Sequence, residues 1–281
     1  MSALRLRFLS LCIAFAMFAL GGLATSRANA APPDGNKLVK FKLVTSASVL
    51  APGQQGWLGV VFDIEPGWHI YWRNPGDSGV APGVTFDAPS GVTIGEAQWP
   101  TPERHVSEGL VDFIYTGKTM LLFPVTLDSG AKVGGSLTIS AHVSWMVCQN
   151  VCVGGEGDGK LSLSIASQSK PSPDSPLVDR FLALVPKPLK SPADSVAASW
   201  NAGALILKAP GAQQITWMPY EYESVPRGPV DILNDGVSAT GELRVPYGAA
   251  AKEEPMIRGV VQVRRKDQTT SYVVEVPPKS S

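Results

Sequence analysis

The chain has 281 residues and carries 24 Lys and Arg against 24 Asp and Glu, so its formal net charge is zero. It lacks the excess of positive charge that is typical of proteins binding nucleic acid or anionic membranes, and neither is predicted as a partner. A chain of this length can bury one large hydrophobic core or two small ones.

The first 30 residues have the features of an export signal. Arg5 and Arg7 precede an apolar run at residues 8–24, and Ala28-Asn29-Ala30 forms a small-residue site that a signal peptidase could cut. Residues 1–30 are therefore predicted to be a cleaved signal peptide. An uncleaved membrane anchor is the alternative, because the apolar run is near the shortest length that spans a bilayer.

Cleavage at this site would change both the charge and the cysteine content of the chain. It would remove three arginines and one cysteine, leaving a net charge of −3 and only Cys148 and Cys152. Two thiols exported to an oxidising compartment form a disulfide where the geometry allows it.

The hydrophobic pattern predicts β-structure along most of the chain. Apolar residues alternate in GWLGVVFDI (56–64) and in SLTISAHVSWMV (136–147), as half-buried strands require. In the second segment the odd-numbered residues are expected to face the core. Clusters of turn residues, such as NPGDSG and GGEGDG, separate the strands. The prediction is an all-β chain whose first domain, residues 31–166, is a β-sandwich.

A change of composition follows the first predicted domain. Residues 167–196 are rich in Pro and Ser and are predicted to be a linker, or a connector lying across a domain face, with one short helix at residues 177–185. The later segments ALILKA, QITWM, VDIL, ELRVPY, IRGVVQVRR and SYVVEV predict a second, smaller β-sandwich-like domain over residues 197–281.

The two remaining cysteines lie four residues apart. Four residues of extended strand span about 13 Å, whereas a disulfide needs the two Cα atoms within about 7 Å. A bond therefore requires the backbone to reverse at Gln149-Asn150-Val151. Cys148 continues the even-numbered, polar face of its strand, so a partner is expected to reach this thiol. The adjacent sequence is acidic and gives no local reason for a depressed thiol pKa.

The residues alone leave three roles open for this pair. A structural disulfide is common in exported proteins, but the loop-closure estimate for about five residues is only about 2 kcal/mol. A redox pair that opens and closes is the second reading. The third is a Cu(I) site built from soft ligands on one face, namely His142, Met146, Cys148 and Cys152.

Other candidate sites are weaker. The aromatic stretch WHIYW (68–72) is predicted to be core rather than a ligand site. Glu103, His105 and Glu108 could suggest acid–base chemistry, but without a convergent pocket they are interpreted as a solvated loop. No phosphate-binding loop, dinucleotide-binding glycine pattern or Gly-x-Ser-x-Gly motif is present in the sequence, so no cofactor is expected.

Four segments in combination resemble one family. They are residues 145–153 (WMVCQNVCV, followed by a turn with Glu156), 66–72 (PGWHIYW), 115–118 (YTGK) and 121–125 (LLFPV). Together they look like the amino-terminal periplasmic domain of the thiol:disulfide interchange protein DsbD, and most like the ScsB-like branch associated with suppression of copper sensitivity. The resemblance covers roughly residues 39–165, and residues 257–261 look like part of that branch's second β domain.

The resemblance implies an immunoglobulin-like sandwich whose cysteine pair cycles between dithiol and disulfide. Carried over from the family, Cys152 would form mixed disulfides with partners and Cys148 would resolve them. Electrons would come from a membrane-embedded thiol reductant of DsbD or CcdA type and pass to periplasmic thioredoxin-like or disulfide isomerase clients. The activity would be that of a protein-disulfide reductase. A copper-binding or copper-protective periplasmic module without catalysis is the alternative.

The resemblance also implies a cap loop over the pair. The family's cap precedes a Gly-Lys, and the matching stretch here is residues 112–118, with Asp112, Phe113 and Tyr115 as its candidate members. Either Phe113 or Tyr115 would be the shielding ring.

Two departures from the family pattern affect these expectations. The family usually has Pro-Glu shortly after the second cysteine, whereas residues 153–156 read VGGE, which puts the shape of this loop in doubt. The family's transmembrane conduit and thioredoxin-like terminal domain are absent, so a separate membrane protein is expected to supply the electrons.

Overall fold

The computed structural model describes residues 33–189, 196–220, 236–247 and 256–278. The predicted signal peptide, residues 1–30, and the predicted strand VDIL, residues 230–233, lie outside the described residues. Within the described ranges, no helix combines the length and the hydropathy needed to cross a membrane.

From residue 33 to residue 171, the structure has one short helix followed by twelve strands. In chain order these are α1 (Gly35–Leu38), β1 (Val39–Thr45), β2 (Ala47–Leu50), β3 (Gln55–Ile64), β4 (His69–Gly76), β5 (Gly83–Asp87), β6 (Val92–Ile94), β7 (Glu103–Ser107), β8 (Leu110–Thr116), β9 (Lys118–Leu127), β10 (Ser136–Cys148), β11 (Cys152–Ile165) and β12 (Lys170–Pro171).

These strands form two sheets that pack face to face. One sheet has four strands in the order β1-β3-β9-β6, and the other has eight, in the order β12-β2-β11-β10-β4-β8-β7 with β5 paired to β10. Side chains from both sheets fill the core between them, and the Phe62 ring of β3 meets the Trp145 ring of β10 edge-on at 6.1 Å. The result is an immunoglobulin-like sandwich, as the sequence predicts.

Strand β10 has the register that its alternating sequence predicts. Its odd-numbered residues are buried in this core, namely Leu137, Ile139, Ala141, Val143, Trp145 and Val147. The even-numbered residues therefore lie on the outer face of the eight-stranded sheet.

A helix packs on the outside of the four-stranded sheet. Helix α2 (Ser175–Leu182) starts two residues before the predicted position, with a proline in its first turn where the missing N–H costs nothing. Val178 and Phe181 pack against a patch of β1, β3 and β9 that includes Val44 and Met120. The Pro- and Ser-rich segment thus lies across the face of the sandwich where it is described.

The described residues after α2 form two further sheets. Its strands are β13 (Lys187–Pro188), β14 (Ala197–Asn201), β15 (Ala204–Lys208), β16 (Gln214–Pro219), β17 (Val237–Ser238), β18 (Glu242–Pro246), β19 (Ile257–Arg265) and β20 (Gln268–Val276). One sheet has the order β13-β20-β19-β16-β17, and the other β14-β15-β18. They enclose a second core around Trp217, whose indole N–H donates to the Tyr247 hydroxyl at 2.7 Å. The all-β prediction is confirmed.

The second pair of sheets contacts the first at the end of β4. Met218 of β16 and Val260 of β19 join the first core rather than the second. Tyr220 packs against both Trp72 and Arg73, with the Arg73 guanidinium 4.2 Å from the centre of the Tyr220 ring. Strand β4 therefore touches the second pair of sheets through one end, while its other end pairs with β10 at Cys148.

Candidate functional site

The two cysteines form a disulfide at the turn end of the β10–β11 hairpin. Cys148 is the last residue of β10 and Cys152 the first of β11; the two are directly opposite each other, with their Cα atoms 4.2 Å apart. The backbone reverses through Gln149-Asn150-Val151, where the Gln149 N–H donates to the Val151 carbonyl at 3.1 Å. This is the reversal that a bond between residues so close in sequence requires.

The two sulfur-bearing residues differ in exposure. Cys152 is exposed, whereas Cys148 is only 2% exposed and packs with Tyr71 and Ile114, with Met146 beside them. The sequence correctly predicts that Cys148 lies on the outer face of the sheet, but the expectation that a partner can reach it is wrong. The reason is that side chains from β4 and β8 cover this end of β10.

The aromatic ring that covers Cys148 is that of Tyr71. Its hydroxyl lies 4.0 Å from the Cys152 sulfur, and the side chain is 1% exposed. The loop after β4 crosses over the ring at Gly79, where a Cβ would lie 2.1 Å from the ring atom Cζ. Gly79 also has a φ of +76°, which favours glycine. Only glycine fits here without moving the ring or the loop.

A buried carboxylate fixes the loop over Tyr71. Ser78 donates to Asp112 twice, from its backbone N–H at 2.9 Å and from its hydroxyl at 2.8 Å. The Ser78 hydroxyl is in turn 3.5 Å from the Tyr71 hydroxyl. Asp112 therefore holds the loop, and the loop holds the ring beside the disulfide.

The predicted cap residues divide between the two faces of β8. Asp112 faces the disulfide side, but Phe113 and Tyr115 point into the sandwich core. The Phe113 ring packs on Trp72 at 5.7 Å, and the Tyr115 hydroxyl donates to the Pro100 carbonyl at 2.6 Å. Neither ring lies over the cysteine pair, because the segment is a strand in which alternate side chains point to opposite faces.

The aromatic stretch at residues 68–72 has two functions in the structure. Ile70 and Trp72 are core residues, as predicted, whereas His69 and Tyr71 lie on the opposite face beside the disulfide. Sequence reasoning missed this pair because it treated the whole stretch as core. The alternation of side chains along β4 was the signal that could have separated them.

Two histidines from distant segments meet next to Tyr71. The His69 Nε2 atom is 3.3 Å from the Tyr71 hydroxyl, and the His69 and His105 rings are 5.8 Å apart. Burial lowers the pKa of His69, and His105 lowers it further, while Asp112 acts in the opposite direction. Burial also raises the pKa of Tyr71, so this phenol stays protonated at neutral pH.

His105 lies in strand β7, so the interpretation of residues 103–108 as a loop is wrong for this part, whereas the expected exposure of Glu103, His105 and Glu108 is confirmed. His105 is in β7, directly opposite Asp112 of β8. Pairing of β7 with β8 and of β8 with β4 carries His105 to the disulfide side. The acidic residues near Cys152 in the sequence gave no sign of these imidazoles.

The candidate copper ligands are not brought together as a set. Met146 lies beside Cys148, but His142 is farther along β10 and contacts Asp158 at 2.9 Å and Glu156 at 3.9 Å on β11. The two cysteines are bonded to each other. In the part of the chain that the structure describes, no group of three or more His, Cys, Asp or Glu side chains could hold a metal ion.

The glycines after Cys152 allow close packing of helix α1. A Cβ at Gly155 would lie 2.4 Å from the Trp145 Nε1 atom and 2.8 Å from the Asn36 Oδ1 atom. That Asn36 oxygen accepts a hydrogen bond from the Glu156 N–H at 2.9 Å. The departure from the family's Pro-Glu therefore coincides with docking of α1 against the start of β11.

Comparison with known proteins places part of the chain in a family. Residues 36–162 match the N-terminal domain of the thiol:disulfide interchange protein DsbD, and this segment belongs to that family. No curated protein sequence matches the chain.

Two of the similar solved structures are the N-terminal domains of ScsB and DsbD. The N-terminal periplasmic domain of ScsB from Proteus mirabilis is 17% identical with a TM-score of 0.57, and the alignment covers 88% of this chain and 96% of that one. The reduced DsbD N-terminal domain from Neisseria meningitidis is 15% identical with a TM-score of 0.31, covering 50% and 94% respectively. At this identity, the likeness to the ScsB domain shows the fold alone.

Proposed function

We propose that this chain, whose residues 36–162 belong to the DsbD N-terminal family, is a periplasmic thiol-disulfide interchange protein of the protein-disulfide reductase type. It relays electrons through Cys148 and Cys152 from a membrane-embedded dithiol reductant to oxidised periplasmic proteins. One observation carries the proposal: an exposed Cys152 is bonded to a buried Cys148 within a single hairpin.

The exposure difference supports a fixed order of attack. Thiol-disulfide exchange needs a thiolate to approach one sulfur along the line of the bond that breaks. Only Cys152 is open to a protein-sized partner, because Tyr71 and Ile114 cover Cys148. A reductant thiolate therefore bonds to the Cys152 sulfur, and Cys148 leaves as a thiolate.

The second half of the exchange completes the electron transfer. A second thiolate of the reductant attacks its own sulfur in the mixed disulfide and releases Cys152, so the pair gains two electrons and the reductant becomes a disulfide. The reduced pair repeats these steps in reverse on an oxidised client. Cys152 attacks the client disulfide, and Cys148 then closes the bond and releases the client as a dithiol.

The short hairpin argues against a purely structural role for the bond. The loop that it closes contains about five residues, for which the chain-entropy estimate is about 2 kcal/mol, compared with about 4.7 kcal/mol for a loop of a hundred. Strands β10 and β11 already pair along their whole length without it. Opening the bond would leave this ladder in place.

The location and partners follow from the same proposal. The predicted signal peptide would export the chain, and exchange with a membrane-embedded reductant of DsbD or CcdA type would keep the pair reduced. Thioredoxin-like proteins or disulfide isomerases of the periplasm are the proposed clients. The exposed Val151, in the turn between the cysteines, would lie under any partner bonded to Cys152.

Trapping of mixed disulfides tests this function. In Cys148→Ser the complex at Cys152 cannot be resolved, so we expect covalent adducts with periplasmic proteins that disappear on reduction. Cys152→Ser is the matched control, since it keeps one thiol but the buried one, and we expect no adducts. Equal trapping by both variants would refute the proposed order of attack. Trapping by neither variant would refute the proposed electron transfer through the pair.

A further inference from the structure

A continuous line of polar atoms leads away from the exposed cysteine. The Tyr71 hydroxyl is 4.0 Å from the Cys152 sulfur and 3.3 Å from the Nε2 atom of His69. Tyr71 is buried, whereas His69 is only half-buried and so communicates with solvent. A proton on the Cys152 sulfur therefore has a path to water through these two side chains.

We propose that Tyr71 and His69 form a proton relay that converts the Cys152 thiol to its reactive thiolate. This inference rests on the proposed function, in which Cys152 is the attacking sulfur. Tyr71 is the group that touches the sulfur. His69 does not contact the sulfur; it accepts the proton that Tyr71 passes on.

The relay operates when the reduced protein attacks a client. The Cys152 thiol gives its proton to the Tyr71 oxygen as Tyr71 passes its own proton to His69 Nε2, so the phenol stays neutral and an imidazolium forms. The thiolate bonds to one sulfur of the client disulfide, whose other sulfur leaves with the electron pair. That leaving thiolate takes up a proton from solvent, to which His69 releases its own.

The charged groups around His69 fit the role of proton acceptor. Burial and the neighbouring His105 of β7 lower its pKa, so the ring is neutral near pH 7 and Nε2 has a free lone pair, although the same effects make it a weaker base. Asp112 of β8 opposes this effect and stabilises the imidazolium once it has formed. Tyr71 also has Ser78 of the loop and Cys152 as polar neighbours.

A competing path would run through Ser78 to Asp112. The Ser78 hydroxyl donates to Asp112 at 2.8 Å and can accept from Tyr71, but the Tyr71–Ser78 distance is 3.5 Å. Asp112 is 7% exposed, so a proton delivered there has poorer access to solvent than one on His69. The geometry favours the His69 branch, and the test includes both.

Alkylation of Cys152 by iodoacetamide measures thiolate formation without a protein partner. The parent is Cys148→Ser, which leaves a single thiol in the mature chain, and the rate is followed by mass spectrometry as a function of pH. We expect the parent's rate to rise with pH as the Cys152 thiolate forms, and the ordinary thiol pKa of about 8.5 is the reference for the midpoint. His69→Gln and Tyr71→Phe should each shift the curve to higher pH and slow the reaction at pH 7 about tenfold, the effect of one pKa unit.

Two further variants act as controls. Ser78→Ala removes the hydroxyl path to Asp112 but keeps the backbone N–H bond to Asp112 that holds the loop. His105→Gln removes the second imidazole but leaves the line of atoms intact. Both should keep most of the parent's reactivity. Unchanged curves in His69→Gln and Tyr71→Phe would overturn the relay, as would a larger effect of Ser78→Ala than of His69→Gln. His69→Gln alters a half-buried side chain, so its result stands even if Tyr71→Phe is unstable.

The two experiments fail independently. Loss of trapped partners in Cys148→Ser would contradict the proposed function while the alkylation curves still report on the relay. If His69→Gln and Tyr71→Phe gave the same curve of alkylation rate against pH as the parent, the proton relay would be contradicted. The trapping result would not be affected.

Discussion

Asn74 joins the two pairs of sheets to the loop that covers the disulfide. Its Nδ2 atom donates to the Pro219 carbonyl of β16 at 2.7 Å, and its Oδ1 atom accepts from the Gly76 N–H at 3.1 Å. Asn74 is buried, so both hydrogen bonds are shielded from water. One amide therefore links the second pair of sheets to the segment that leads to Gly79 and Tyr71.

Substitution of Asn74 tests this link. Asn74→Ala removes both hydrogen bonds, and we expect a loss of about 2 kcal/mol in the free energy of unfolding. Asn74→Asp keeps an acceptor for Gly76 but places a buried carboxylate against the Pro219 carbonyl, so it should be worse than alanine. Urea unfolding measures both.

The exposed Asn201 of β14 provides a matched control for these variants. Asn201→Ala should change stability by no more than about 0.5 kcal/mol. If Asn74→Asp were as stable as Asn201→Ala, the Pro219 contact would have no energetic role.

The close contact of Gly79 with Tyr71 gives a second prediction. Gly79→Ala must strain the backbone and displace the ring, whereas Gly109→Ala has the same kind of positive φ, +84°, with no atom within 4 Å of the new Cβ. Both variants should lose about 1 kcal/mol of stability because of the positive φ, and Gly79→Ala should lose about 1–3 kcal/mol more through overpacking against Tyr71. Only Gly79→Ala should uncover the disulfide and speed its reduction by dithiothreitol.

The rate of reduction, compared between the two variants, separates ring displacement from backbone strain. Equal acceleration in Gly79→Ala and Gly109→Ala would mean that general loosening opens the site. No acceleration in either would mean that Tyr71 does not restrict access.

The strand register could be predicted from sequence because it depends on local alternation. Residues 137 to 147 of β10 alternate over eleven positions, and a one-residue slip would expose the entire apolar set. The same rule applies to β8. In a strand, Phe113 and Tyr115 lie on one face and Asp112 on the other, so the two rings point into the core when Asp112 points to the disulfide. Interpreting this segment as a loop therefore led to the wrong candidates for the shielding ring.

The environment of the disulfide could not be predicted, because it depends on non-local pairing. His69 meets Cys148 across β4 and β10, and His105 reaches the site only through β7 and β8. Alternation gives the face of a side chain but not the neighbouring strand that covers it. The exposure of Cys148 and the cluster of imidazoles both depend on that missing information.

The glycines after Cys152 give a third prediction with a built-in control. A Cβ at Gly155 collides with Trp145 and Asn36, whereas one at the adjacent Gly154 meets nothing within 4 Å. Gly155→Ala should therefore destabilise the protein by about 1–3 kcal/mol through overpacking. Gly154→Ala should be neutral, within about 0.5 kcal/mol.

Thermal unfolding of the two alanine variants checks this account of the family departure. Similar melting temperatures for both would show that α1 does not need the close approach at Gly155.

The lowered pKa of His69 predicts a dependence of stability on pH. Above the ordinary value of 6.5 the imidazole is neutral in both the folded and unfolded states, so His69 contributes no pH dependence there. As the pH falls below 6.5, the unfolded chain takes up a proton before the folded protein does, so stability is lost until the pH passes the lower, folded-state pKa. His69→Gln should flatten this part of the curve of unfolding free energy against pH.

A histidine outside the site controls for the substitution. His142→Gln removes an exposed imidazole that contacts Asp158 and leaves His69 in place, so the loss of stability between neutral and mildly acid pH should remain steeper than in His69→Gln. Urea unfolding at a series of pH values measures both slopes. If His69→Gln lost stability toward acid as steeply as the unaltered protein, burial beside His105 would not disfavour protonation of this ring.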